Sequence, residues 1–577
     1  MNLKCTILLL PIFLTIQIFG QTCPAPSAII EFEGNNVRSK LSHGGSLWWD
    51  KRNGRFAVPK QSLRAHDVHA FHVAGIWVGG KDPGGNPKFA GATYGQSSGL
   101  VDFWAGPLNT LTGRTDPSIC ANWDRFFRVE KADVDLHTFY VQKSRLGTLN
   151  YTADLIPPSI KQWPANGNPY FESENGFGLP DNNYSFTDFY DENQNGIYEP
   201  LDGDYPAIYF SECRNYVVPA KMIYWVFNDF GGYHQETNGD PIQAEFHALA
   251  FAFNTGTDLD YSQFYRYKMI NRATEDLEGA RIGLWTDPEL GCYNDDFFGC
   301  DTSRSLMYIY NEDAIDGLNG TFCPGGINTF GEEIPMVGID FLGVKTKNRL
   351  ESIKPMEVFG FYDSNSFYYP APQNTSGYYN LLNGLLSNGQ AMLTPFGDTT
   401  TFAFPSPPDC NDPTCWSMCK NDPGTEDPKT IMSTGKFDLS IGKEIELFFA
   451  NIFAPKQSHP CPNLEDIRKA DDFVQAVFDN CFRGVTSSIP NLDIKYSTLV
   501  YPNPISIANG NLVVKGLSKG DKLRIVDLQG QVHMDRIVTD FGDQHLNLPE
   551  NISPGMYFLQ VNIKGLQTRT TKIIVTD

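Results

Sequence analysis

A twelve-residue segment from Asp191 to Asp202 has the residue types and spacing of a calcium-binding loop. Oxygen-bearing side chains on alternate residues suit Ca²⁺, and Gly196 at the sixth position allows the sharp turn that lets them converge. The candidate ligands are Asp191, Asn193, Asn195, the carbonyl of Ile197, and Asp202. Pro200 and the lack of flanking amphipathic helices describe a helix-free loop rather than an EF-hand. The segment predicts a structural calcium site, and the alternative is an Asn/Gly-rich turn without metal.

A second acidic cluster lies further along the chain. Its candidate metal ligands are Asp287, Glu289, Asp295, Asp296 and Asp301. Carboxylates this close in sequence repel one another unless a cation, Arg281 or Arg304 compensates them. A second calcium site, a ligand-binding loop and a solvated loop all fit this pattern. A hydrolase that uses Asp287 and Asp295 would also need a cleft and a raised pKa, so it is a weaker interpretation.

Two further patterns resemble catalytic or metal sites. The pattern Gly-x-Ser-x-Gly surrounds Ser97, but a nucleophile elbow needs a strand before it and a helix after it. Here Pro107 and the glycine before it would stop such a helix at once. The three histidines are His66, His69 and His72, and on a strand His69 points to the opposite face. We therefore interpret Ser97 as non-catalytic and the histidines as structural.

The chain has 12 cysteines, which in an exported protein form disulfides by default. Cys292 and Cys300 flank a short loop and are predicted to pair with each other. A helix of about 17 residues would hold Cys461 and Cys481 roughly 25 Å apart, beyond disulfide reach of about 7 Å. We expect these two to find partners in the cluster Cys410, Cys415 and Cys419. A zinc site in that cluster is less favoured, because it lacks a close CxxC pair.

Composition points to a folded, mainly β protein. Hydrophobic residues make up 41% of the chain, and 52 Gly, 38 Pro and 13% aromatics favour short strands joined by turns. The fold class expected is a multi-domain β-sandwich architecture with few helices. A formal charge of −22 disfavours nucleic acid and anionic lipid as partners. No HExxH, Walker or dinucleotide motif appears in the sequence.

Both ends of the chain indicate export. Residues 1–20 contain one charge, Lys4, and a short apolar run interrupted by Pro11, which predicts a signal peptide rather than a membrane span. No other uncharged apolar run approaches the roughly 20 residues of a spanning helix. The mature chain should therefore lack a transmembrane segment and face an oxidising exterior.

Shifts in composition divide the chain into five regions. They are a signal peptide (1–20), an N-terminal β-rich domain (21–155), an irregular segment with the candidate calcium loop (156–206), a large β-rich domain ending in an amphipathic helix (207–490), and a C-terminal domain (498–577). The helix has acidic Glu465 and Asp466 in its first turn. Its predicted buried face contains Ile467, Ala470, Phe473, Val474, Val477 and Phe478.

The C-terminal domain opens with Tyr501-Pro502-Asn503-Pro504 and continues in short alternating strands. These strands include Gly555, Tyr557 and the final Lys572-Ile573-Ile574-Val575. This stretch resembles the type A sorting domain of the type IX secretion system of Bacteroidota. The resemblance implies an immunoglobulin-like sandwich, the Sec translocon and type IX machinery as partners, and a secreted or outer-surface location. The expected sorting signal consists of Tyr501, Pro502, Asn503, Pro504, Gly555, Tyr557 and Lys572.

The landmarks between residues 40 and 480 resemble large Bacteroidota surface proteins that carry such sorting domains. Examples are Phe103-Trp104-Ala105-Gly106-Pro107-Leu108 and Asp202-Gly203-Asp204-Tyr205-Pro206. That resemblance implies architecture and no activity. Three function classes remain open: a non-enzymatic surface protein in adhesion or glycan and matrix binding, a calcium-stabilised hydrolase acting on polysaccharide or protein, and a structural component of the secretion or gliding surface. We favour the first, with a glycan or other extracellular ligand.

Overall fold

The computed structural model describes residues 22–180, 186–317, 323–346, 353–425, 427–485, 500–508, 510–514, 522–539, 544–549, 552–562 and 568–577. The predicted signal peptide lies outside the described residues. The chain forms two compact units, Met1–Ser488 and Ile489–Asp577. Within the described residues, no helix is both long and apolar enough to cross a membrane.

The larger unit consists mainly of strands. Its strands are β1 Ile29–Glu33, β2 Arg38–Ser42, β3 Ser46–Leu47, β4 Phe56–Ala57, β5 His69–Lys81, β6 Pro87–Gly91, β7 Trp104–Ala105, β8 Phe127–Glu130, β9 Phe189–Tyr190, β10 Tyr205–Pro206, β11 Ile208–Phe210, β12 Asn215–Val217, β13 Lys221–Asn228, β14 Ala244–Ala252, β15 Gln263–Asn271, β16 Leu277–Pro288, β17 Asp296–Asp301, β18 Leu306–Asn311, β19 Met336–Thr346, β20 Val358–Asp363, β21 Met392–Leu393, β22 Thr399–Thr400, β23 Pro428–Ser433, β24 Phe437–Leu439 and β25 Glu444–Ala454. Its helices are α1 Pro117–Trp123, α2 Lys131–Arg145, α3 Pro158–Lys161, α4 Phe171–Asn175, α5 Thr375–Leu382 and α6 Glu465–Asp479.

Two large sheets pack against each other in this unit. One has ten strands along the order β1-β2-β3-β5-β16-β23-β20, with β4, β6 and β24 beside them, and the other has nine along β17-β18-β19-β25-β15-β14-β13-β7, with β8 beside β13. Their facing apolar side chains form one core, in which Trp48 of the first sheet donates its indole N–H to the Tyr265 hydroxyl of the second at 2.9 Å. The mainly β, sandwich-like fold class is confirmed.

The predicted boundary between domains 21–155 and 207–490 is wrong. Strand β5 pairs along its length with β16, and β7 and β8 pair with β13, so each large sheet combines strands from both predicted domains. Sheet register sets these backbone hydrogen bonds between strands far apart in the chain, and composition shifts do not reveal it. Residues 22–485 therefore belong to one compact unit.

Helix α6 covers part of the second sheet and matches the predicted amphipathic helix. Asn463, one residue before the N-cap Leu464, accepts the Glu465 N–H at 2.9 Å in a turn that precedes the helix. The buried stripe contains Ile467, Asp471, Val474 and Phe478, at helical spacing. Phe473, expected to be buried, is 40% exposed. A charged residue, Asp471, instead faces the sheet, which the apolar pattern could not indicate.

Five disulfides tie the larger unit together. They are Cys23–Cys120, Cys213–Cys481, Cys292–Cys323, Cys410–Cys415 and Cys419–Cys461. The expected partner for Cys461 in the 410–419 cluster is confirmed, whereas Cys481 pairs with Cys213. The predicted Cys292–Cys300 bond is wrong. Cys300 is a buried free thiol in β17, where extended backbone carries it about 13 Å past Asp296 and away from Cys292.

The C-terminal unit is a small two-sheet sandwich. Its strands are β26 Val500–Tyr501, β27 Ile505–Ser506, β28 Asn511–Val514, β29 Lys522–Val526, β30 Val532–Ile537, β31 Gln544–Asn547, β32 Gly555–Asn562 and β33 Thr568–Thr576. Three strands form the sheet β26-β28-β31 and five form β27-β33-β32-β29-β30. Tyr557, Leu559 and Val561 alternate into its own core, as the period of two predicts.

Candidate functional site

Four tyrosines form a connected row on the surface of the larger unit. Tyr190 of β9 stacks on its cross-strand partner Tyr205 of β10, with ring centroids 4.7 Å apart and planes 12° from parallel. Tyr209 and Tyr216 are the corresponding pair of β11 and β12, also 4.7 Å apart. Tyr190 touches Tyr216 edge-on at 5.3 Å, which joins the two pairs. We call Tyr205, Tyr190, Tyr216 and Tyr209 the tyrosine row.

The outer half of the tyrosine row is accessible to solvent. Tyr209 and Tyr216 are each 38% exposed, while Tyr190 and Tyr205 are half-buried. Burial, together with neighbouring carboxylates, raises the pKa of Tyr205 to about 12. The phenol group of Tyr205 therefore stays neutral at physiological pH, so its hydroxyl can donate a hydrogen bond and its ring offers an uncharged face.

The predicted calcium loop connects the two strands of the stacked pair Tyr190–Tyr205. We call residues 191–204 the Asp191 loop. Asp191 accepts the Gly196 N–H at 2.7 Å, and Asn195 accepts the Ile197 N–H at 2.7 Å. Gly196 has φ +77°, so the predicted glycine turn is present. Among the residues that the structure describes, the carboxylate oxygens of Asp191, Glu199 and Asp202 do not form a close trio, so a cation here would also need amide and carbonyl oxygens.

A residue that the sequence pattern did not single out organises the Asp191 loop. Asp204 is fully buried and accepts the N–H groups of Glu192 at 2.9 Å and Glu199 at 2.8 Å. Burial, with the charges of Asp191 and Asp202, raises the pKa of Asp204 to about 6. Negative charge therefore accumulates inside the loop, which a bound cation would relieve. The signal for Asp204 lay just beyond the twelve-residue pattern, in the sequence Asp-Gly-Asp.

The second acidic cluster of the sequence separates into three places. Asp301 lies beside Arg304 and Arg468, at 3.3 and 2.8 Å. Asp295 accepts the Gly317 N–H at 2.8 Å, and Asp296 accepts the Leu290 N–H at 2.9 Å, so both hold loop backbone. The remaining two carboxylates meet a histidine. The prediction that these five residues form a single metal site is therefore wrong.

His72, Asp287 and Glu289 form the closest group of metal-type ligands among the described residues, and we call it the His72 centre. One ligand atom from each lies within 4.8 Å of the other two. The irregular register between β5 and the end of β16, where Asp287 lies opposite Val73 and Pro288 opposite Phe71, brings them together. The sequence reasoning placed Asp287 and Glu289 in an acidic cluster but interpreted His72 as structural, because the partners are far apart in the chain.

Hydrogen bonds and ion pairs connect the His72 centre internally. His72 Nδ1 lies 3.0 Å from Glu289 Oε2, Lys429 Nζ lies 2.8 Å from Asp287 Oδ1, and the Tyr94 hydroxyl donates to Asp287. Burial lowers the pKa of His72, but the bond to Glu289 and nearby carboxylates outweigh burial and raise the pKa. Burial raises the pKa of Asp287, against the opposing effect of Lys429.

A charged cleft of about 540 Å³ opens onto this centre. His72, Glu289 and His69 line it together, although an undistorted strand would place His69 on the opposite face. Its other charged lining residues are Glu31, Arg38, Lys40, Arg55, Arg64 and Asp67. Ser97 lies in a short 3₁₀ segment, Gly95–Ser97, and donates to the Tyr94 carbonyl at 2.9 Å. It does not form a strand–turn–helix elbow, so the motif has no nucleophile geometry.

Hydrogen bonds connect several of the expected sorting-signal residues within the C-terminal unit. Asn503 donates to the Lys572 carbonyl at 2.8 Å and accepts the Ile574 N–H at 2.9 Å. Gly555 begins β32, opposite Val575, and the Tyr557 hydroxyl donates to the Ser553 carbonyl at 2.9 Å. The Asn503 turn is thus anchored to the last strand, β33.

Residues 499–576 match the family of secretion system C-terminal sorting domains. This identifies the C-terminal unit as a type IX sorting domain and the protein as secreted or exported to the cell surface. No curated protein matches the chain.

Several solved structures show weak likeness. The type IX surface component PorZ of Porphyromonas gingivalis is 16% identical, over 16% of this chain and 13% of that one, with a TM-score of 0.14. A polysaccharide lyase is 9% identical, over 57% and 34%, with a TM-score of 0.16. The adhesin domain of Epf from Streptococcus pyogenes is 7% identical, over 59% and 81%, with a TM-score of 0.12. The chain thus spans 13% and 34% of the first two, and TM-scores this low establish no shared fold.

Proposed function

We propose that this type IX-exported protein is a glycan-binding protein of the cell surface or its surrounding matrix. The observation that carries the proposal is the tyrosine row, a surface strip of four linked rings with its outer pair exposed. Aromatic rings present a flat apolar face to the C–H groups of a sugar, and phenol hydroxyls add hydrogen bonds. Such a strip suits adhesion to a chain of sugars.

The charge around the row favours a neutral glycan. Burial and the neighbouring Glu192 raise the pKa of Tyr190. Burial, together with Asp191 and Asp188, raises the pKa of Tyr216. These three carboxylates therefore lie close to the tyrosine row. Arg145 pairs with Glu192 and Arg266 pairs with Asp188, so the repulsion of an anionic sugar comes mainly from Asp191. The whole chain, with a formal charge of −22, adds to that repulsion.

We further propose that Ca²⁺ binds the Asp191 loop and has a structural role. The loop joins β9 to β10, the two strands that carry the stacked rings of Tyr190 and Tyr205. A cation would neutralise the accumulated charge of Asp191, Asp202 and Asp204 and fix the spacing of those rings. Calcium would thus affect glycan binding through the shape of the row.

The test is binding of the exported protein to an array of neutral and acidic polysaccharides. Tyr209→Ala and Tyr216→Ala should each weaken binding to a neutral glycan about two- to tenfold, the range of one aromatic contact. Tyr368→Ala is the matched control, because Tyr368 is 76% exposed elsewhere on the surface. A chelator should weaken glycan binding, and Asp191→Asn should weaken it to a similar degree. Unchanged binding in both row variants would remove the proposal.

A hydrolase is the second candidate, because the charged cleft reaches His72 and Glu289 and burial raises the pKa of Asp287. Asp287 is 2% exposed and already bonded to Tyr94 and Lys429, so it could not reach a substrate without rearrangement. Reducing-end or peptide-release assays on the array ligands distinguish the candidates. Cleavage that Glu289→Gln abolishes would favour the hydrolase over a binding protein.

A further inference from the structure

The His72 centre contains the donor types of a divalent transition-metal site. An imidazole nitrogen and two carboxylate oxygens form a mixed set that suits Zn²⁺ and its neighbours better than Ca²⁺, which prefers oxygen alone. This differs from the Asp191 loop, whose candidate ligands are all oxygens. We propose that His72, Asp287 and Glu289 bind one divalent transition-metal ion at the end of the charged cleft.

The distances within the centre fit one ion. Two ligand atoms that are each about 2.1 Å from an ion lie about 3.0 to 3.4 Å apart at octahedral or tetrahedral angles. His72 Nδ1 and Glu289 Oε2 are 3.0 Å apart. An oxygen of Asp287 lies within 4.8 Å of both other ligand atoms, at most about 1.4 Å farther than a shared ion requires, so this carboxylate must move closer to bind the same ion. The three residues therefore need small side-chain shifts rather than backbone movement.

The charges of the centre also match a divalent ion. Asp287, Glu289 and Asp427 carry three negative charges, and Lys429, paired with both aspartates, carries one positive charge. With a neutral His72 the sum is −2, which one divalent cation neutralises. Lys429 retains Asp427 as its partner when Asp287 turns an oxygen to the ion, so the ammonium is not left unpaired.

The surroundings supply an orienting contact and an entry path. The Tyr94 hydroxyl donates to Asp287 Oδ2, and Lys429 Nζ lies 2.8 Å from Oδ1, so both neighbours hold the carboxylate close to its place in the centre. His72 and Glu289 line the charged cleft, so an ion can arrive from solvent. Three protein ligands beside a cleft leave a coordination position for water or a ligand group.

The experiment is a Zn²⁺ titration of the whole exported protein by calorimetry, after chelator treatment and in calcium-saturated buffer. We expect one Zn²⁺ per chain, and at least tenfold weaker binding in His72→Gln and Glu289→Gln. His66→Gln is the control, because His66 is exposed, lies six residues earlier and is outside the centre. Anomalous scattering at the zinc edge from crystals of the unmodified protein locates the ion without any variant.

Two results would overturn the inference. One is the absence of a stoichiometric Zn²⁺ site, and the other is Zn²⁺ bound elsewhere, with an affinity that His72→Gln and Glu289→Gln leave unchanged. Thermal unfolding of each variant without metal shows whether a lost site reflects a lost fold. Glycan binding by the tyrosine row is measured separately, so failure of the metal site leaves the proposed function to its own test.

Discussion

Asp287 and Asp340 are both buried aspartates on the large sheets, yet their charges are balanced in opposite ways. Asp287, 2% exposed in β16, has Lys429 Nζ at 2.8 Å and a hydrogen bond from Tyr94. Asp340, fully buried in β19, faces another acid, Asp471 of α6. One aspartate is neutralised by a cation, whereas the other has only a carboxyl group in front of it.

The Asp340–Asp471 pair needs a proton to be satisfied. As two carboxylates neither can donate, and both Asp340 oxygens and Asp471 Oδ1 then lack a hydrogen-bond partner. Arg304 lies 3.8 Å from Asp471 but donates its hydrogen bonds to Asp472 and Asp301. Burial and the neighbouring acid raise the pKa of Asp340 well above its ordinary value, and burial raises that of Asp471 to about 7. The comparison shows that a counter-ion opposes the rise in pKa that burial causes, whereas a neighbouring acid adds to that rise.

The largest expected effect is removal of the cation beside Asp287. Lys429→Met should lower the free energy of unfolding by about 3–5 kcal/mol, because it leaves a buried carboxylate uncompensated. Chemical denaturation near pH 8, with a chelator present, measures it. The double variant Lys429→Met/Asp287→Asn should recover most of the loss. A single variant as stable as the parent protein would mean that Lys429 does not balance Asp287.

The second effect concerns the acid without a cation. Asp340→Asn should raise the free energy of unfolding near pH 8 by about 1–3 kcal/mol, since one pKa unit corresponds to about 1.4 kcal/mol and the amide supplies the missing donor. A raised pKa means that the contribution of this pair to stability is greatest below about pH 4 and is lost as pH rises through about 7. The gain should therefore vanish near pH 4. Denaturation curves at several pH values test this, and a gain that is equal at pH 4 and pH 8 contradicts it.

A third, smaller effect has the opposite pH dependence. Burial raises the pKa of Asp301, but Ser303, Arg468 and Arg304 outweigh burial and lower it. Asp301→Asn should destabilise the protein by about 1–2 kcal/mol at pH 7, because the two arginines are partly exposed and solvent weakens the pairs. The loss should shrink as pH falls below about 4, where the parent carboxylate takes up a proton. Denaturation at pH 7 and pH 3 checks it, and Asp472→Asn, at a more exposed partner of Arg304, is the control.

The sequence could predict features whose residues lie close together in the chain, but not contacts between residues far apart in the chain. The Asp191 loop was recognisable because its Asp, Asn and Gly residues lie within twelve positions, and the sorting domain because its Tyr501-Pro502-Asn503-Pro504 opening and the strands after it resemble a known family. The His72 centre joins residues 217 positions apart through a register irregularity of β5 and β16. Asp471 was overlooked for a related reason. It occupies an apolar stripe, and its partner Asp340 lies in a strand far away in sequence.

The strand content followed from composition and helix α6 from its periodicity, and both signals are local. The union of residues 22–155 and 207–485 in two shared sheets did not, because long-range register determines it. The pairing of Cys292 with Cys323 rather than Cys300 could not be predicted either. Strand β17 begins between Cys292 and Cys300, and the spacing of the cysteines does not reveal that strand.

The smallest effect tests whether burial, rather than ion pairing itself, creates the contrast. Arg145 pairs with Glu192 at 2.7 Å beside the Asp191 loop, but the two side chains are 52% and 32% exposed. Water already solvates both charges, so Arg145→Met should change the free energy of unfolding by less than about 1 kcal/mol, several times less than Lys429→Met. Chemical denaturation of both variants in one buffer gives the ratio. Because the lost pair is screened, raising the salt concentration should shrink the Arg145 effect and leave the Lys429 effect nearly unchanged. Equal losses in the two variants would show that a cation matters as much at the surface as in the core, and the contrast between Asp287 and Asp340 would then need another cause.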